Sequence, residues 1–170
     1  MMISKETADA LNAQVGHEFG ASLQYVAISS YFNQEGLPEL AHHFQLQADE
    51  ERAHAMRIIQ YIVDADAQLK IPSIPAPRAG FKSAEEAVKL SLDWEMKVTE
   101  QINGLMDLAI KQNEHLTRNF LEWFVNEQLE EVSSMDTLLR MIRRAGEQGL
   151  MFVESYLARK LHGGAVEAGA

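Results

Sequence analysis

A carboxylate and an imidazole one helical turn apart are the first residues in this sequence that could do chemistry. Glu51 and His54 lie in the run Gln47-Ala48-Asp49-Glu50-Glu51-Arg52-Ala53-His54, inside a long stretch of helix-forming residues. Side chains three residues apart share one face of a helix, so this pair could bind a metal ion from one rigid element. A Glu/His pair on a helix is more often simply solvated or hydrogen-bonded. The metal interpretation therefore requires that this face points inward and that other segments supply matching ligands.

Four long segments each carry one stripe of residues spaced by four and three, which predicts helices that bury one face. Glu51 and His54 share their stripe with Phe44 and Ile58, so they are predicted to face the interior. The stripes are Leu11, Val15, Glu18, Ser22, Tyr25 and Ser29; Leu40, Phe44, Gln47, Glu51, His54, Ile58 and Tyr61; Val88, Leu92, Glu95, Thr99, Ile102, Met106 and Ala109; and Thr117, Leu121, Phe124, Gln128, Glu131, Met135, Leu138 and Ile142.

Turn and cap residues predict where these helices begin and end. The first helix is predicted from the N-cap Ser4 to Gln34, and the second from Pro38 to Asp64, with Gly36 in the turn between them. The third opens at the capping-box pattern Ser83-Ala84-Glu85-Glu86, and the fourth follows Asn113. A short amphipathic helix from Leu150 to Leu161, with Phe152, Val153, Tyr156 and Leu157, is predicted after Gly146 and Gly149. Residues 1–162 are predicted to form one domain, and residues 163–170 a disordered tail.

The segment from Asp64 to Lys82 contains Pro72, Pro75, Pro77 and Gly80 and is predicted to be a connection. Such a connection is unusually long for a compact domain. About nineteen extended residues reach roughly 60 Å, and the second helix is roughly 40 Å long. The connection can therefore cross the whole length of a helical bundle.

Polar residues of the four stripes recur at one offset of 77 residues. The pairs are Glu18 with Glu95, Glu50 with Glu127, Glu51 with Gln128, His54 with Glu131, and Gly36 with Asn113 in the turns. The offset predicts two helical hairpins related by a pseudo-two-fold axis and joined by the long crossover. The fold class is therefore all-α, a four-helix bundle with one long crossover and a short fifth helix. The axis would bring the stripe carboxylates together at mid-bundle.

Carboxylates that converge inside a bundle repel one another, and a buried ionised carboxylate costs several kcal/mol unless it is paired. No Lys or Arg occupies any of the four stripes, so two divalent cations are the predicted partners. Carboxylate oxygens with one imidazole and no sulfur suit iron or manganese, whereas zinc usually takes smaller sets richer in nitrogen or sulfur. This ligand plan is the one known for di-iron helical bundles.

Composition narrows the function classes further. The absence of cysteine excludes disulfides and thiolate metal sites, and a net charge of −10 argues against binding nucleic acid through phosphates. The start of the chain lacks an apolar signal core and no apolar run could span a membrane, so a cytoplasmic location without membrane association is the expectation.

From the first helix to the short last one, the chain resembles the bacterial non-haem ferritins. The resemblance rests on Glu18 with Tyr25, on the run from Gln47 to His54, on Glu95, and on Trp123-Phe124-Val125-Asn126-Glu127-Gln128-Leu129-Glu130-Glu131. It implies a homo-oligomeric hollow shell of twenty-four subunits that oxidises Fe(II) with dioxygen or peroxide and stores the ferric mineral inside.

The resemblance also implies a role for each site residue. Glu18, Glu51 and His54 would hold one iron, and Glu51, Glu95 and Glu131 the other, with Glu51 as the bridge and Gln128 close by. Tyr25 would hydrogen-bond within the site or donate an electron, and a core tyrosine with a satisfied hydroxyl is the alternative. Glu50, Glu127 and Glu130 match a third, outer iron site, although a solvated acidic face explains them almost as well.

Two departures separate the chain from the haem-binding bacterioferritins. The bacterioferritins carry a second Glu-x-x-His motif, and this chain has Gln128-x-x-Glu131 at the equivalent position. Arg52 stands where the bacterioferritins carry a haem-ligating Met, so no haem is expected. Three rivals to a ferritin remain. A di-iron oxygenase or peroxide reductase on the same bundle would need a substrate pocket or an electron-delivery module, and a purely structural helical assembly protein would bind no metal. A DNA-protecting mini-ferritin fits less well, because it lacks this intrasubunit ligand set and the chain has no basic tail.

Overall fold

The computed structural model describes residues 2–163, and within that range every regular element is a helix. The elements are α1 (Lys5–Gln34), α2 (Pro38–Asp64), α3 (Ala84–Lys111), α4 (His115–Ala145), a short 3-10 turn (Glu147–Gly149) and α5 (Leu150–His162). The predicted helices are confirmed. The bounds predicted for α2 are the observed ones, and the other predicted ends lie within two residues of the observed ends. The tail predicted to be disordered lies outside the described residues from position 164 onward.

Local chemistry explains the helix ends. Ser4 Oγ accepts a hydrogen bond from Thr7 N and caps α1. Gly36 and Asn113, which occupy equivalent turns, have φ of 73° and 56°, values that Gly and Asn tolerate better than other residues. At the start of α3, Ser83 Oγ accepts from Glu86 N at 3.1 Å, but Glu86 Oε2 accepts from Lys82 N instead of Ser83 N. The predicted capping box is therefore only half formed.

The bundle core is divided into two apolar parts. One part is built around Phe32, Phe44 and Met135, and the other around Leu11, Ile58 and Leu121. Along each long helix, the residues of one part and those of the other are separated by the stripe's polar residues. A polar layer therefore crosses the bundle at its middle, and the apolar parts above and below hold it in place.

The crossover between α2 and α3 lies along α1, where four residues spaced by four contact it. Asn12 Nδ2 donates to Gln68 O at 2.9 Å, and Asn12 Oδ1 accepts from Lys70 N at 2.6 Å. Gln24 repeats the arrangement with Arg78, whose carbonyl accepts at 2.8 Å and whose N–H donates at 2.9 Å. Between these two amides lie Gly16 and Gly20, and a Cβ added to Gly16 would come within 2.4 Å of Pro72. α1 therefore buries a second face that carries amides and glycines.

The fifth helix packs its Leu150, Val153 and Leu157 into the bundle core. The amphipathic pattern predicted for this helix is wrong in part, because Phe152 is 80% exposed and Tyr156 is 38% exposed. None of the helices formed by residues 2–163 has the length and apolar character needed to cross a bilayer.

A buried acid attaches α5 to the start of α2. Glu154 accepts hydrogen bonds from Glu39 N at 2.9 Å and from Leu40 N at 2.8 Å. The first N–H groups of a helix have no partner inside the helix, and its N-terminus attracts negative charge. Glu154 therefore caps α2 from another element, a role that the sequence pattern did not reveal.

We expect Glu154→Ala to lower the free energy of unfolding of the apo-protein by about 1–3 kcal/mol, because one buried and one partly buried N–H group lose their acceptor. Urea denaturation followed by circular dichroism measures the change. Ser155→Ala is the control, since Ser155 is an exposed neighbour on the same helix. Equal effects of the two substitutions would contradict the capping role.

Candidate metal centre

Seven predicted site residues come together in the polar layer, and each is at most 5% exposed. Each long helix contributes at least one of them because the stripes of all four helices cross this layer. They are Glu18 and Tyr25 from α1, Glu51 and His54 from α2, Glu95 from α3, and Gln128 and Glu131 from α4.

The carboxylates and the imidazole form two groups that could each hold one metal ion. In the first group Glu18, Glu51 and His54 offer ligand atoms that lie within 4.8 Å of one another, and in the second Glu51, Glu95 and Glu131 do the same. Glu51 belongs to both groups. This one side chain could therefore be a ligand at both positions.

Hydrogen bonds from neutral side chains orient two of these carboxylates. The Tyr25 hydroxyl donates to Glu95 Oε1 in a short hydrogen bond. Gln128 Nε2 donates to the other oxygen of Glu95 at 3.3 Å and to the Glu95 carbonyl at 3.2 Å. Gln14 Nε2 donates to Glu18 Oε1 at 2.8 Å. Glu95 and Glu18 are thus held in position by groups that bring no positive charge.

Two buried carboxylate oxygens have no hydrogen-bond partner among residues 2–163. They are Glu18 Oε2 and Glu51 Oε1, and both belong to residues of the first ligand group. An unpartnered buried polar atom is costly, and a buried anion more so. A cation bound between Glu18 and Glu51 would satisfy both oxygens. A ligand set of carboxylate oxygens and one imidazole nitrogen suits iron.

Burial and mutual repulsion raise the pKa values of the carboxyl groups in this layer. Desolvation is the main cause for Glu18, with the negative charge of Glu51 adding to it. Desolvation also raises the pKa of Glu51, and Glu95 and Glu131 raise it further. Burial and the charge of Glu95 raise the pKa of Glu131 to about 8. Without a cation, the layer therefore favours protonated carboxyl groups near neutral pH.

The residues predicted for a third site line a neighbouring cavity of about 250 Å³. Glu50, Glu127 and Glu130 lie on its wall together with Glu131, so this cavity adjoins the polar layer. Glu127 also offers an oxygen within 4.8 Å of ligand atoms of His54 and Glu131. Burial raises the pKa of Glu50, and Glu127 raises it further. Lys160 lines the same cavity, and no sequence pattern predicted this cation beside the acids.

Two supporting residues lie outside the predicted set. Gln14 is 2% exposed and donates a hydrogen bond to Glu18. Its position one helical turn before Glu18 is the sequence feature from which this hydrogen bond could have been predicted. Trp123 contacts His54 edge-on with ring centroids 5.4 Å apart. The Arg57 guanidinium carbon lies 4.2 Å from the Trp123 ring centroid.

His43 of α2 lies outside the two ligand groups. It is half-buried and meets Phe44 edge-on at 5.3 Å between ring centroids. Desolvation and the nearby Lys160 and His42 lower its pKa to about 4, so His43 is neutral at pH 7.

A family model and several known proteins match this chain. The model of the ferritin-like domain family, Ferritin, matches residues 8–145. Ferritin BfrB of Mycolicibacterium smegmatis is 44% identical over 148 residues, which cover 87% of this chain and 81% of that protein. The bacterial non-heme ferritin of Staphylococcus haemolyticus is 37% identical over 146 residues, which cover 86% of this chain and 88% of that protein.

Solved structures agree with these sequence matches. A crystal structure of an open pore ferritin from the archaeon Archaeoglobus fulgidus superposes with a TM-score of 0.90 and 29% identity. The superposition covers 92% of this chain and 97% of that one. The arrangement of four long helices, a crossover and a short last helix is therefore shared with proteins of this kind.

Proposed function

Because this chain belongs to the ferritin family, we propose that it stores iron by oxidising Fe(II) to Fe(III) at an intrasubunit di-iron site, with dioxygen or peroxide as the oxidant. The observation that carries the proposal is the pair of ligand groups that share Glu51. Two Fe(II) ions held side by side can supply two electrons to one oxidant. With dioxygen, two Fe(II) and two protons give two Fe(III) and hydrogen peroxide.

Each site residue has a role in this proposal that follows from its position. Glu18 and His54 bind one Fe(II), Glu95 and Glu131 bind the other, and Glu51 bridges the two. Anionic oxygen ligands favour the harder Fe(III) product over Fe(II), which assists oxidation. Tyr25 and Gln128 orient Glu95 through their hydrogen bonds. Burial raises the pKa of Tyr25 well above its usual value, so the phenol stays protonated and is available to donate an electron together with its proton.

We assign Glu50, Glu127 and Glu130 to a third, outer iron site through which iron passes after or before oxidation. The support is their shared position on the cavity beside Glu131. Lys160 on the same wall reduces the negative charge there, which would favour transient over tight binding of iron. Arg52, whose guanidinium cannot ligate iron, leads us to expect protein purified without haem.

We expect Glu130→Gln to leave the oxidation of the first irons unchanged and to slow later uptake about threefold, because Glu130 belongs to neither ligand group of the di-iron site. Stopped-flow absorbance over successive additions of Fe(II) separates the two phases. Glu122→Gln removes an exposed acid from the same helix and is the control. A slower first phase in Glu130→Gln would contradict this division of roles.

We also propose that the chain assembles into a homo-oligomeric shell of twenty-four subunits in the cytoplasm. Exposed apolar side chains on α1 and α2 support association, and among them Leu23 and Val26 are each 44% exposed, Met56 is 44% exposed and Val63 is 55% exposed. Clusters of apolar residues at the surface commonly mark protein interfaces.

Anaerobic titration of the apo-protein with Fe(II), followed by addition of oxygen and by gel filtration, tests the proposed function. Rapid oxidation of about two or three irons per chain, then slow uptake of many more into a large particle, is the expected result. Two irons without further uptake would favour a di-iron oxygenase or peroxide reductase. No binding would leave a structural helical assembly protein.

A further inference from the structure

A second cavity, of about 580 Å³, lies outside the di-iron layer, between α1, α3 and the crossover. Gly16 and Gly20 of α1 are among its lining residues, and the crossover passes over α1 beside them. Trp94 of α3 forms one wall, and Pro75 and Pro77 of the crossover lie among its other lining residues. The volume falls within the range of small-molecule sites in proteins, roughly 300–1,000 Å³.

The shape of this cavity depends on fixed structure. A Cβ added to Gly20 would lie 3.4 Å from the Trp94 ring, so the indole packs directly over the glycine. The crossover wall is fixed by the two hydrogen bonds between Gln24 and the backbone of Arg78. An indole and proline rings offer flat apolar surfaces, which suit the faces of a planar aromatic molecule.

The charges around the cavity leave one cation without a partner among residues 2–163. Arg78 is paired with Glu86 at 2.7 Å, and Asp93 is paired with Lys89 at 2.5 Å. Lys97 lines the cavity and has no hydrogen bond or ion pair to the described part of the chain. In a protein with a net charge of −10, an apolar slot with an unpaired ammonium group at its edge complements a monoanion.

We propose that this cavity binds a planar aromatic carboxylate, with its ring against Trp94 and its carboxylate on Lys97. The ring would replace water on the apolar wall, and the ion pair would set the orientation. His17, also on the wall, would contribute one ring N–H to the same carboxylate. The inference does not depend on the proposed iron chemistry, because none of the groups that it uses belongs to the di-iron ligand groups.

Isothermal titration of the assembled apo-protein with 2-naphthoate tests this site, with 2-naphthalenemethanol and decanoate as matched probes. We expect 2-naphthoate to bind most tightly. Lys97→Met should weaken it about fivefold, whereas Lys111→Met, on the same helix but away from the cavity, should not. Trp94→Leu should weaken it about tenfold through lost ring contact.

Gly20→Ala separates loss of binding from loss of folding. Alanine is favoured over glycine inside a helix, and the added methyl group makes ordinary contact with Trp94, so the thermal midpoint should not fall. The methyl group narrows the slot, and we expect weaker binding of 2-naphthoate. The proposal is overturned if 2-naphthoate does not bind at millimolar concentration or if decanoate binds as tightly. It is equally overturned if Lys97→Met has no more effect than Lys111→Met.

Discussion

Glu51→Ala is expected to slow the initial oxidation of Fe(II) by at least about 100-fold while leaving the apo-protein folded. Glu51 is the one residue shared by the two ligand groups of the polar layer, so its removal deprives both iron positions of a ligand. The same substitution relieves repulsion with Glu18, Glu95 and Glu131, since burial and those neighbours raise the pKa of this group of acids. We therefore expect a thermal midpoint of the apo-protein that is equal to or above that of the parent.

Stopped-flow absorbance at a low ratio of iron to protein measures the rate, and calorimetry measures the midpoint. Glu51→Gln keeps the shape of the side chain and should lose most of the rate as well. Glu100→Ala removes an exposed acid from α3 and should change neither quantity. Unfolding of both Glu51 variants would assign Glu51 a structural role, and an unchanged rate would place the oxidation elsewhere.

The apo-protein is expected to become less stable as the pH rises from about 5.5 to 8. Burial and Glu95 hold the pKa of Glu131 at about 8, above its ordinary value of 4.5, so the folded chain binds this proton more tightly than the unfolded chain. The stability that the proton contributes is complete below pH 4.5 and is lost as the pH rises through 8. The loss for Glu131 alone is at most about 5 kcal/mol.

Urea denaturation of the apo-protein at several pH values measures this slope, and Glu131→Gln should flatten it because the amide does not titrate. A redox-inert divalent cation such as Zn(II) should restore stability more at pH 8 than at pH 5.5, since it replaces the protons between the carboxylates. Stability that increases from pH 5.5 to 8 in the parent protein would show that these acids are not repelling one another in the folded state.

Much of the bundle could be predicted because its interior residues repeat with the period of a helix. Glu18, Glu51, Glu95 and Glu131 interrupt apolar stripes. The offset of 77 residues, which pairs Glu18 with Glu95, Glu51 with Gln128 and His54 with Glu131, predicts them at one level of the bundle. The structure places all four in the buried layer. Residue type and spacing were sufficient to predict the position of these four acids, because the apolar face of each long helix is also the face that points into the bundle.

The second buried face of α1 could not be predicted in the same way. Asn12, Gly16, Gly20 and Gln24 are spaced by four, yet none of them is an apolar residue of the kind that marks a buried stripe. Their burial depends on the crossover and, at Gly20, also on Trp94 of α3, and these contacts join residues far apart in the sequence. The opposite error occurred in α5, where Phe152 is apolar and fits the helical pattern but lies at the surface of the described chain.

Asn12 and Gln24 of α1 hold the crossover through its backbone, so substitutions in the crossover can leave these hydrogen bonds intact. Asn12 and Gln24 recognise carbonyl and N–H groups that any residue other than proline would present at positions 68, 70 and 78. Side chains of α1 therefore determine the path of the crossover, and most side chains of the crossover itself can be substituted without changing that path. A foreign peptide grafted between positions 73 and 77 should follow the same route, provided that Pro72 still covers Gly16.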